Sequence, residues 1–61
     1  MYRDEVVQLM TDTVNNYNRS LIPMGAMPAE QVEEFIKQNE AALLHMNGLL
    51  YDTLKENGVI N

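Results

Sequence analysis

Cysteine is absent from this 61-residue chain, and Lys and Arg together number only four. Without cysteine there is no disulfide framework, no thiolate zinc site and no thiol nucleophile. Four basic residues against nine acidic ones leave a net charge of -5. Binding to a phosphate backbone needs clustered Lys and Arg, so direct contact with nucleic acid is excluded. Long apolar runs are missing too. The longest, such as Leu21-Ile22-Pro23-Met24 and residues 41–44, fall far short of the roughly 20 residues of a membrane helix. The charged start, Met1-Tyr2-Arg3-Asp4-Glu5, is not followed by the apolar core of a signal peptide. The expectation is a soluble, cytoplasmic protein with no membrane partner.

Catalytic motifs are equally scarce. The chain has no Gly-rich phosphate loop, nucleophile elbow, calcium loop or His-Glu-x-x-His. A single His45, with no carboxylate or serine neighbour in sequence, reads as a solvated side chain. Glu30, Glu33, Glu34 and Glu40 lack the Glu-x-x-His partner of a helix-borne di-metal site and read as a solvated acidic face. The expectation is a protein that is not an enzyme and binds no metal or cofactor.

What is present is ordinary globular usage, 46% apolar and 21% charged. Residues 1–61 are read as one all-α domain. A first amphipathic helix is expected over residues 3–18. Tyr2, Val6, Leu9, Met10, Thr13, Val14 and Tyr17 share one face of about 160°. Asp4, Gln8, Thr11, Asp12, Asn15 and Asn18 fall on the opposite, polar side. The Asn-rich end is expected to fray near Ser20.

Pro23 and Gly25 mark a connector that is unusually apolar, with Leu21, Ile22, Met24 and Met27. Two roles stand open for these four: a cap over the hairpin end, or a loop that contacts a partner, since methionine is an adaptable contact residue. Pro28 suits the first position of a second helix, expected over residues 28–57 with Glu33 and Lys37 as an i,i+4 pair. Val32, Phe35, Ile36, Ala42, Leu43, Met46, Leu49, Leu50 and Leu54 form its apolar stripe. His45, Gly48, Asp52, Lys55 and Glu56 fall on its polar side. Gly58 is placed as the C-terminal cap, with Val59-Ile60-Asn61 as a short tail.

Asn47-Gly48 is a turn-forming dipeptide and could break the second helix, giving a monomeric three-helix bundle. The phase of the stripe runs through it unchanged, which favours continuity. Unbroken, the helix is a rod of about 45 Å, and the first helix, about 24 Å long, covers only its N-terminal part. Past Leu43 the stripe widens to about 220°. The expected resolution is a homodimer of antiparallel hairpins, a four-helix bundle closed through Leu43, Leu44, Met46, Leu49, Leu50, Tyr51 and Leu54.

A helix-turn-helix reader is rejected. Its recognition helix would be residues 49–57, with one Lys against Asp52 and Glu56. The function expected is that of a small acidic, non-enzymatic protein–protein interaction module: an adaptor, regulator or inhibitor subunit. An acidic DNA mimic or transcription-complex component, and a secretion-type chaperone shielding a helical client, are the alternatives.

Overall fold

A computed structural model describes residues 2–60 of the chain, so Met1 and the tail residue Asn61 lie outside the described residues. Two helices, α1 (Arg3–Ser20) and α2 (Ala29–Glu56), make up the architecture. They lie side by side as an antiparallel hairpin, for Arg3 meets Asp52, Thr11 meets Asn47 and Arg19 meets Glu33.

Local chemistry explains where each helix starts and stops. Asp4 and Glu5 occupy the first turn of α1 and Arg19 the last, both matched to the helix dipole. The Asn-rich end carries α1 to Ser20, where its stop is expected and two residues past the expected bound of 18. Ser20 Oγ donates to the Tyr17 carbonyl at 2.6 Å, and the chain continues in turns to Gly25. There Ala26 N–H bonds to the Leu21 carbonyl and Gly25 N–H to the Ile22 carbonyl. With Gly25 at φ 75°, this is a Schellman closure. Pro28 sits one position before α2, as its extended N-cap rather than its first residue. A second Schellman closure ends α2: Gly58, also at φ 75°, bonds to Lys55 and Val59 bonds to Leu54.

The second helix runs through Asn47-Gly48 without a break, so the three-helix alternative is not adopted. The reason lies in the helix–helix seam. Thr11 and Asn47 are buried, and Asn47 Nδ2 donates to Thr11 Oγ1 at 2.9 Å. Thr11 Oγ1 in turn donates to the Val7 carbonyl at 2.9 Å. A tertiary hydrogen bond therefore holds the residue that a turn would otherwise use.

This seam corrects the expected facing of α1. Val7, Thr11 and Asn15, spaced i, i+4, i+8, are the residues buried against α2. Leu9, Val14 and Tyr17, expected to face inward, are exposed instead, as is Tyr2. On α2 the buried set is Val32, Ile36, Asn47, Gly48 and Tyr51. Gly48, placed on the polar side by its sequence phase, thus faces α1. Turning α1 to bring Leu9 and Tyr17 inward would strand the Asn47 amide, and an unpaired buried amide costs about 1–3 kcal/mol.

The expected lengthwise mismatch is also corrected. Bridges from Arg19 to Glu33 and from Arg3 to Asp52 show α1 running alongside all but the first and last turns of α2. Residues beyond Leu43 are therefore covered on one side by α1.

Replacing Thr11 by Val keeps the shape but removes the acceptor for Asn47. The expected loss is about 1–3 kcal/mol in urea denaturation at fixed protein concentration. The double variant T11V/N47L should recover most of it, since removing both polar partners is nearly neutral. A T11V midpoint equal to the parent's would show that the hydrogen bond does not hold the seam.

Candidate docking face

The helices meet through a mixed seam, with Val7, Val32, Ile36 and Tyr51 buried beside Thr11, Asn15 and Asn47, and several other large apolar side chains are left to one side of it. One flank carries an open groove of about 320 Å³. Val14, Asn15 and Asn18 line it from α1, and Phe35, Asn39, Ala42, Leu43 and Met46 from α2. None of these residues is charged. Around it Phe35 is 50%, Met46 55% and Leu50 46% exposed, well above what a finished core allows. Met10 precedes Val14 by one helical turn and shares its face.

The opposite flank differs in kind. Its hollow, about 570 Å³, is walled by Arg3, Asp4, Gln8, His45 and Asp52 along with Val7, Leu44, Gly48 and Leu49. Arg3 and Asp52 satisfy each other there through a two-pronged contact, Nε to Oδ1 at 2.9 Å and Nη2 to Oδ2 at 3.2 Å. The guanidinium also lies 5.9 Å from the centre of the Tyr51 ring, within cation–π range. It rests on the bare face of Gly48, where an added Cβ would stand 2.8 Å from Nη2. The hydrogen bond from Arg3 holds the Asp52 carboxyl below its ordinary value, with partial desolvation opposing it. Glu33, expected to pair with Lys37 along its own helix, instead accepts from Arg19 Nε at 3.1 Å. Among the described residues no three His, Asp or Glu side chains converge as for a metal ion. No helix there is long and apolar enough to cross a membrane.

The residues expected at the dimer contact are thereby divided. Met46, Leu49 and Leu50 are exposed, and Leu43 and Leu54 are half-buried. Met46 and Leu43 line the apolar groove, while half-buried Leu44 and exposed Leu49 line the polar one. Tyr51 is only 6% exposed, so its ring is already covered within the hairpin. Of the connector residues, Leu21 and Met27 line a small hollow of about 150 Å³ with Asn18, Val32 and Phe35. Ile22 is half-buried, and Met24 stands 75% exposed. Val14 and Phe35, expected on the inward faces, line this docking face instead. The sequence signal for the true seam is the i, i+4 run of Val7, Thr11 and Asn15, in which two of three residues are polar.

The overall dimensions fit an unfinished core. The hairpin measures 40 × 20 × 17 Å with a radius of gyration of 13.6 Å, against about 10.5 Å for a compact chain of this length. Its accessible surface is 4674 Å², whereas a compact monomer of this mass exposes about 4000 Å².

Two expectations concern the polar flank. Gly48→Ala gains about 1 kcal/mol of helix propensity while displacing the flexible end of Arg3 from a half-exposed ion pair of small worth. The melting temperature should therefore rise by a few degrees, and the Asp52 carboxyl titration, followed by NMR, should return toward 3.8. A fall in melting temperature would show that the Arg3 seat outweighs propensity. In the parent protein the depressed Asp52 pKa adds stability that is complete well above pH 3.8. That contribution fades as pH falls through the lower folded value, and Asp52→Asn should remove this part of the pH dependence. No family model, curated protein or solved structure matches the chain.

Proposed function

We propose that this chain is a small acidic, non-enzymatic protein–protein interaction module, of the adaptor or regulator class, that works as a homodimer closed through its apolar flank. The observation that carries this reading is the run of exposed large apolar side chains beside a groove without charge. Contiguous apolar surface of this kind marks a docking site. The elongated chain as a whole exposes on the order of 600 Å² more than a compact monomer of its mass, and each partner in a standard interface contributes roughly 800 Å².

Charge favours this flank for self-association. Two copies of a -5 chain repel each other, and the repulsion is weakest where the carboxylates stay farthest from the contact. No charged side chain lines the apolar groove, so the charged residues outside it stay in solvent for recognition of a second protein.

Sedimentation equilibrium should give twice the 7.0 kDa chain mass at micromolar loading. Added salt should tighten the association, because it screens like-charge repulsion. Met46→Glu should yield a monomer that keeps its helical circular dichroism, since Met46 is exposed within the hairpin. A 7.0 kDa species at every loading and salt concentration would overturn the reading.

A further inference from the structure

We infer, resting on the dimer reading above, that the occupant of the apolar flank is a second copy packed antiparallel through α2, with Met46 of each copy set against Ala42 of the other. The inference comes from the order of side-chain sizes along the exposed seam. Phe35, Asn39, Ala42, Met46, Leu49 and Thr53, all exposed, follow one another on α2 at alternating steps of four and three, the spacing of a helix–helix seam. Their sizes run large, small, small, large, large, small. The seam starts on the apolar groove and at Leu49 reaches the edge of the polar hollow.

An antiparallel pairing centred between Ala42 and Met46 matches every large residue with a small one. Phe35 meets the partner's Thr53, Asn39 meets the partner's Leu49, and Ala42 meets the partner's Met46. Each pairing then occurs twice, as a twofold axis requires. Competing registers fail on volume. Parallel pairing sets Phe35 on Phe35 and Ala42 on Ala42, which joins overpacking to a void. Sliding the antiparallel pair by one heptad sets Phe35 on the partner's Met46, or Met46 on the partner's Leu49, and leaves small residues facing each other.

Two structural observations agree with this register. The groove of about 320 Å³ opens beside Asn39 and Ala42, the two small positions that receive Leu49 and Met46 from the other copy. Methionine, unbranched and adaptable, suits an irregular groove. Thr53 is also prepared for burial, since its Oγ1 donates to the Leu49 carbonyl at 2.9 Å, and Asn39 has one amide N–H paired, to the Phe35 carbonyl at 2.8 Å. Covering them does not strand the Thr53 hydroxyl proton.

The cysteine-free chain permits a direct test by disulfide exchange. Full-length Ala42→Cys and Met46→Cys variants, one carrying a mass tag, are mixed in a glutathione redox buffer. At equilibrium the mixed A42C–M46C disulfide should exceed each homodisulfide by about tenfold, because docking raises the effective concentration of that pair alone. Phe35→Cys mixed with Thr53→Cys should behave the same way. Dominance of the A42C homodisulfide, or a statistical distribution in both mixtures, would overturn the register. If the parent still sediments as a dimer in that case, the dimer reading survives and only the register falls. A parent that sediments at 7.0 kDa would remove both.

Discussion

The buried hydrogen bond from Asn47 to Thr11 sets the rotation of both helices. Asn47 lies well inside a long helix, and its amide has no water to bond with once α1 covers it. Only a polar residue at the facing position of α1 answers that need. Thr11 does so while its own hydroxyl proton goes to the Val7 carbonyl. Polar networks of this type act as registry devices more than as sources of net stability. The arginine bridges at the two ends, half-exposed and individually weak, agree with the same rotation.

From that choice the rest of the surface follows. Facing Val7, Thr11 and Asn15 toward α2 swings the heavier apolar stripe of α1 outward. The same rotation leaves Phe35, Met46 and Leu50 beside it on α2. Among the described residues no third layer covers them. The proposed dimer gives this flank a function in place of a defect: the seam that closes each hairpin is a small apolar core registered by one buried polar pair, while the surface left over is apolar and adaptable. In the proposed dimer, stability and assembly are divided between two faces of the same helices.

Much of the hairpin was legible in the sequence, and the reasons are local. Helix periodicity, the paired acids opening α1, and Gly25 and Gly58 as left-handed closures all act within a few residues. Continuity through Asn47-Gly48 was legible from phase alone. The facing of the helices was not, because apolar moment reports where large apolar side chains cluster, whereas this hairpin contact is registered by one long-range polar pair. Thr11 and Asn47 lie 36 positions apart, and nothing in either segment names the other. Gly48 misled for a related reason: it seemed polar by phase, yet its missing side chain seats the Arg3 guanidinium. The lengthwise mismatch failed because Arg3 reaches Asp52, so the unmet apolar surface lies beside the hairpin and not beyond its end.

The central claim is that the apolar flank is open in one chain and closed by association. Solvent paramagnetic relaxation of the methionine methyl groups, followed through a dilution series, addresses it most directly. Met24, exposed in the connector, should relax strongly at every concentration. Met46 should be shielded at high concentration and become as accessible as Met24 on dilution. A Met46 methyl that stays accessible throughout, or stays shielded at the lowest concentration where the chain is monomeric, would contradict the account.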